Sequence, residues 1–204
     1  MVAILLLIAI LLRIIVFFLL LIVKKMPCNC GKKTGIPLMG QDSISDPAVW
    51  GPILWKYLHC IAENLGFSGN SIVDTDQANY VETVITTLHL IVPCQECQQH
   101  TSSYMISHPF PSLKGLRGDI LRSTVRVWLF EFHNSVRVMK GQPIVINTTE
   151  ECAAQYSIIS KADYTMFVQS VGYAVRKGWV RTDNWRKWYS NSERLRIIAG
   201  NLVV

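Results

Sequence analysis

The sequence predicts an all-α protein: a four- or five-helix bundle, preceded by an N-terminal transmembrane helix and followed by a helical C-terminal extension. Three observations carry that expectation. Residues 1–23 form one apolar run. Farther on, apolar residues recur at helical spacing, most clearly at Leu121, Val125, Trp128, Leu129, Phe132 and Val136. Nowhere does a long stretch alternate apolar and polar residues as a half-buried strand would. Helices that each present one apolar stripe bury it against one another, and a bundle follows.

The first element, "MVAILLLIAILLRIIVFFLLLIV", ends at Lys24 and Lys25. At about 1.5 Å per residue such a helix crosses the roughly 30 Å hydrocarbon layer. Arg13, near its middle, is costly there unless it snorkels or pairs. A cleavable signal peptide would show a basic start, a shorter apolar core and a small-residue cleavage site, and none is present. The basic flank, Lys24, Lys25, Lys32 and Lys33, follows the span, so the rest of the chain is expected to face the cytosol as a single-pass membrane protein. Stable disulfides are rare in that compartment, so a redox protein there has to make them actively. The net charge of +6 suits anionic headgroups better than nucleic acid.

Residues 24–45 are rich in Gly, Pro, Lys and Ser and read as a flexible tether carrying Cys28 and Cys30. Asp46–Pro47 supplies an N-cap and a first-turn proline for a helix to about Asn64. "GFSGN" breaks it. Asp74 is the expected cap of a second helix to about Val92, and Cys94–Cys97 opens a third that "SHPFPS" ends near 107. A fourth covers roughly 117–140, closed by Gly141 and Pro143. Two more helices are expected near 152–176 and 183–198, separated by Gly178.

Six cysteines make the Cys94–Gln95–Glu96–Cys97 pair the central question. At the first turn of a helix, unpaired amides and the positive dipole end stabilise a thiolate, which favours thiol–disulfide exchange. Zinc uses the same spacing but needs two further ligands, for which Cys28 and Cys30 are the available pair. Inert thiols are the third reading. His100 reads as a solvated helix residue.

Two other stretches bear on the choice. In "WGPILWKYLHCIAEN", Trp55, His59 and Ala62 share one helix face and could receive a flat ring system. In "WLFEFHNSVRVMKGQP", His133, Val136, Arg137 and Lys140 form a second stripe beside Asn134. Each stripe alone is as readily explained by core packing or a solvated face.

Taken together, "WGPILWKYLHCIA", "PCQEC" and "HNSVRVMKGQP" resemble, in this order and spacing, the Erv/ALR family of FAD-linked sulfhydryl oxidases. The resemblance covers about residues 46–143 and assigns the remainder, 144–204, to a helical extension. It implies FAD as cofactor and no metal. Cys94 and Cys97 are then the active pair, Cys97 beside the flavin and Cys94 exposed for exchange. Gly51, Trp55 and His59 line the flavin, and His133, Asn134 and Val136 hold its adenosine portion. Arg137 stands where the family usually has Asn, and Lys140 where it often has Leu; these two are expected at the diphosphate or adenine.

The implied reaction carries electrons from dithiol client proteins, or a thioredoxin-like carrier, to dioxygen with release of hydrogen peroxide. The family is usually homodimeric. The anchored, cytosol-facing layout resembles members from large cytoplasmic DNA viruses, which places the protein in a virion membrane supporting disulfide formation in virion proteins. Cys28–Cys30 is expected to act as a shuttle into Cys94–Cys97, with palmitoylation of the pair as the alternative. The bracing disulfide many members carry has no cysteine pair at its spacing, which leaves Cys60 and Cys152 to pair or to pack as small hydrophobes. The rival class is a membrane-tethered zinc-binding or scaffold protein built on Cys28, Cys30, Cys94 and Cys97. The C-terminal stretch interleaves Trp179, Trp185, Trp188 and Tyr189 with Arg and Lys, and reads as an amphipathic packing or membrane-surface helix rather than a nucleic-acid contact.

Overall fold

The computed structural model describes residues 46–156 and 158–200. The apolar run 1–23 and the tether with Cys28 and Cys30 lie outside the described residues. Among the described residues no helix is long and apolar enough to cross a membrane.

Seven α-helices form among the described residues: α1 Pro47–Glu63, α2 Ser71–Thr86, α3 Gln95–Ser107, α4 Gly118–Met139, α5 Thr149–Tyr156, α6 Lys161–Arg176 and α7 Thr182–Ile198, with a 3-10 turn at Leu88–Leu90. The fold is all-helical, as expected. Asp46 caps α1 by accepting from the Ala48 amide at 2.8 Å, with Pro47 in the first turn.

Three boundaries differ from expectation: α2 ends at Thr86 rather than near Val92, with the 3-10 turn after it, and the other two have a polar cause. The cap of α2 is Asn70, which accepts from the Ile72 amide at 2.9 Å. Asp74 is instead buried one turn in, where it accepts from Ser68 Oγ and from the Gly118 amide, both at 2.9 Å. That bond ties the start of α4 to the α1–α2 loop. Gly66 and Gly118 meet backbone to backbone there; Gly66 has φ +73°, and a Cβ on it would overlap the Gly118 carbonyl. The single helix expected over 152–176 is two, because Ser160 caps α6 by accepting from the Asp163 amide at 3.1 Å.

Helix α1 is central and packs on α4, α5 and α6, while α7 lies along α2. Its buried face, Tyr57, Leu58 and Ile61, with Leu65 just past its end, shares one core with Leu121, Val125 and Leu129 of α4 and Phe167 and Val171 of α6. Trp188 of α7 is fully buried, and its indole N–H donates to the Val84 carbonyl at 2.9 Å. Tyr57 hydrogen-bonds Ser192, and Gln77 donates to the Ile198 carbonyl at 3.1 Å. One apolar core therefore runs from Trp50 to Ala199, and the segment after residue 143 is part of it. Ion pairs Lys56–Asp163 at 3.1 Å and Arg126–Glu63 at 2.8 Å flank α1 at the edge of this core.

Candidate active site

Proline 93 and the turn before it set the direction of α3. The Cys94 amide donates back to the Val92 carbonyl at 2.9 Å, which leaves Cys94 extended as the N-cap residue. Its Sγ accepts from the Cys97 amide at 3.2 Å, so sulfur takes the place an Asp or Ser oxygen usually fills. Cys94 and Cys97 form a disulfide, their Cα atoms 5.2 Å apart. Thr101 Oγ1 donates to the Cys97 carbonyl at 2.8 Å. Gln98 donates to both the Val92 carbonyl (2.8 Å) and the Trp179 carbonyl (3.2 Å), which ties the disulfide turn to the α6–α7 loop.

Cys97 opens onto a cleft of about 530 Å³, counting its open mouth. Trp50, Gly51, Leu54 and Trp55 of α1 form one wall, Leu88 and Val92 line the cleft before the disulfide turn, and His100 and Thr101 continue the α3 side. Phe132, Val136, Met139 and Lys140 of α4 close it. Two details mark it as a cradle rather than a packing defect. A Cβ on Gly51 would meet no atom within 4 Å. The His100 Nδ1 atom is buried with no hydrogen-bond partner, a condition that costs free energy unless something else satisfies it.

Behind this cleft lies a second cluster, joined to it by Trp55. The Trp55 indole stacks on the His133 imidazole with ring centroids 4.2 Å apart and planes 6° from parallel. His133 Nδ1 lies 3.2 Å from His59 Nε2. Tyr156 stacks on His59 at 5.1 Å, and Cys152 Sγ lies 3.4 Å from His59 Nδ1. Burial holds the His59 pKa down at about 4. Burial, with the positive charge of His59, Arg137 and Lys140 adding to it, holds His133 at about 3. Both rings are thus neutral at pH 7. Burial pushes the Cys152 thiol up to about 11 and the Cys60 thiol likewise to about 11, so both are protonated. Both cysteines are buried thiols.

Residues 52–157, more than half of the chain, match the Erv1 / Alr family. The chain belongs to the Erv1 / Alr family. Over 98 residues it is 26% identical to the putative FAD-linked sulfhydryl oxidase 096R of Invertebrate iridescent virus 3, a match covering 48% of this chain. The same match spans 60% of that relative's length. No solved structure matches the chain.

Of the residues singled out in the sequence, this Erv1 / Alr chain brings Gly51, Trp55, Cys97, Val136 and Lys140 to one cleft. His59 and His133 contact each other and are not among the residues lining it. Asn134 is half-buried on α4 next to them. Arg137 is turned away: its Nε donates to the Pro143 carbonyl at 3.0 Å and fastens the end of α4. His100 is the residue sequence reasoning missed. It is half-buried and lines the cleft, and its position three after Cys97 on the same helix was the available signal. Among the described residues no three His, Cys, Asp or Glu side chains are placed to hold a metal ion.

Proposed function

We propose that this Erv1 / Alr protein is an FAD-dependent thiol oxidase that forms disulfides in client proteins. The observation that carries the reading is the position of Cys97: one sulfur of a helix-capping disulfide faces an aromatic-walled cleft. The residues present fit a flavin. Gly51 leaves room against the α1 wall, Trp50, Trp55 and Phe132 offer ring faces, and the orphaned His100 Nδ1 awaits a partner. Lys140 and Val136 line the cleft, and Lys140 offers a cation to the diphosphate. The family resemblance gives His59 to the flavin and His133, Asn134 and Val136 to the adenosine portion, while Arg137 is bonded to the Pro143 carbonyl instead.

The chain's own chemistry is thiol–disulfide exchange. A client thiolate attacks Cys94 Sγ and breaks its bond to Cys97, which leaves as a thiolate into the cleft. A second client thiol, deprotonated, attacks the mixed disulfide and frees Cys94, whose sulfur already accepts the Cys97 amide and remains stabilised there as an anion. The client leaves oxidised, and the pair holds its two electrons. Bound FAD supplies the acceptor for that electron pair and delivers it to dioxygen, giving hydrogen peroxide.

The apolar run 1–23 and the lysines after it support a membrane-anchored, cytosol-facing enzyme, and the relative's viral source supports a virion membrane. The homodimer and the dithiol clients or thioredoxin-like carrier are what the family resemblance implies. Cys28 and Cys30 serve as its shuttle: replacing both by Ser slows oxidation of a protein client and spares a small dithiol.

The visible spectrum of the purified full chain tests the central reading. A yellow protein that a dithiol bleaches without oxygen, and that yields peroxide when air is admitted, supports it. Cys97→Ser should keep the colour and lose the bleaching. A colourless, zinc-containing protein would establish the rival scaffold instead, and a colourless zinc-free one a bare thiol relay.

A further inference from the structure

The loop between α6 and α7 is fastened to the disulfide turn through one residue, Trp179. Gly178, at φ +73°, ends α6: its amide donates to the Val175 carbonyl at 3.0 Å, and the Trp179 amide reaches back to the Ala174 carbonyl at 2.9 Å. The Trp179 carbonyl accepts from Gln98 Nε2 at 3.2 Å. That same nitrogen donates to the Val92 carbonyl at 2.8 Å, which in turn accepts the Cys94 amide at 2.9 Å. Three hydrogen bonds therefore link the loop to Cys94, and the Trp179 backbone is engaged at both its N–H and its C=O.

The loop presents to solvent an indole and charge of a single sign. Trp179 is 40% exposed, its ring meeting Tyr173 edge-on at 6.0 Å. Arg176, Lys177 and Arg181 are exposed around it, and among the described residues none of the three meets a carboxylate within 4 Å. Two acids adjoin them. Asp183 is paired with Arg186 at 4.0 Å, and Glu96 is the single charged residue of positions 92–99. Positive charge outweighs negative beside the disulfide, on a backbone already fixed before any partner arrives. A rigid, exposed aromatic ringed by cations can hold a partner at little cost in lost freedom.

We propose that the α6–α7 loop is the client-docking surface, and that it selects dithiol segments flanked by acidic residues. Its use in catalysis rests on the oxidase reading; the charge preference in exchange at Cys94 does not. The attacking group is a thiolate, so a positive field both gathers an acidic segment and favours the reactive form of its thiol. The tether carries Lys24, Lys25, Lys32 and Lys33 and shares the sign of this surface, so the occupant that charge selects is a separate chain. An anionic lipid surface has the client's sign, but lying on this loop it would cover the turn where exchange takes place.

Reduction of the Cys94–Cys97 disulfide by two dithiol peptides of equal cysteine spacing, one flanked by Glu and one by Lys, tests the proposal. Alkylation and mass spectrometry follow the exchange with no need of flavin. The full chain carries Cys28→Ser and Cys30→Ser, so that attack falls on Cys94. Combining Arg176→Glu, Lys177→Glu and Arg181→Glu should lower the ratio of Glu-peptide to Lys-peptide rates by roughly tenfold or more. In the chain with its cations intact, about 0.5 M salt should lower the same ratio, a measurement that stands even where the triple variant does not fold. Both proteins meet the same peptides, so a changed ratio reads the surface and not the peptides' own thiols. Trp179→Ala should slow both peptides by roughly fivefold. An unchanged ratio after charge reversal, a ratio indifferent to salt, or unchanged rates in Trp179→Ala would each overturn the docking surface. Should the peptides show no preference while charge reversal weakens binding to phosphatidylserine vesicles, the loop is a headgroup contact and the proposal falls. The expected preference in a protein that binds no FAD would defeat the oxidase reading alone.

Discussion

Trp55 and Tyr57 lie two residues apart on α1, yet the structure treats them in opposite ways. Tyr57 is fully buried among Tyr164, Phe167 and Trp188, and its hydroxyl is bonded to Ser192. Trp55 is half-buried: one part stacks on His133 and another fronts a cleft that the chain does not fill. Close packing is the rule in protein interiors, and the Tyr57 side obeys it. The Trp55 side departs from it over a continuous surface that includes Cys97 of the disulfide. Apolar residues on one side of α1 are therefore enclosed by the chain itself, and those on the other front an open cleft.

That contrast can be broken most forcefully at Trp188. Truncating it to Ala removes a fully buried indole and its bond to Val84, and should cost about 3–5 kcal/mol in urea unfolding. A loss under about 1 kcal/mol would show that α7 is an appendage rather than core.

The histidine pair comes next, through pH. The His59 pKa falls from 6.5 in the unfolded chain to about 4 in the fold, so protonation favours unfolding. Its contribution is complete above pH 6.5 and disappears as pH falls toward 4, amounting to about 3 kcal/mol. Thermal melts across that window should show the decline, and His59→Gln should reduce its slope without abolishing it, because His133 titrates over the same range. An equal slope in the variant would place the titration elsewhere.

The smallest effect has the opposite sign. Gly51→Ala puts a methyl into open space within a helix and should stabilise the fold by about 0.5–1 kcal/mol. The same methyl should raise the Kd for flavin by roughly fivefold or more, because it occupies the cradle. A tighter or unchanged Kd would remove Gly51 from the binding surface.

Much of this was legible before any coordinates. Asp46–Pro47 and Gly141 with Pro143 bound α1 and α4 through chemistry contained in the residues themselves. That Cys94–Cys97 opens a helix was legible too, whereas the Cys94 sulfur as its cap came only with the structure. Less legible were Asp74 and Ser160, since a capping residue type is recognised locally but its partner is chosen globally. Asp74 was read as a cap, yet it bonds an amide 44 residues away. His100 was read as solvated because a lone polar residue on a helix carries no sign of what faces it.

The sequence by itself determined the helices, the paired cysteines and the family, because capping, periodicity and motif order act over a few residues. Only the tertiary structure decided which faces meet. It joined His59 to a thiol 93 residues later, turned His100 inward, and made α7 a wall of the core. The physical reason is that burial is a property of packed neighbours. A side chain's pKa, tautomer and room for a ligand are set by what surrounds it in space, and spacing along the chain does not encode that.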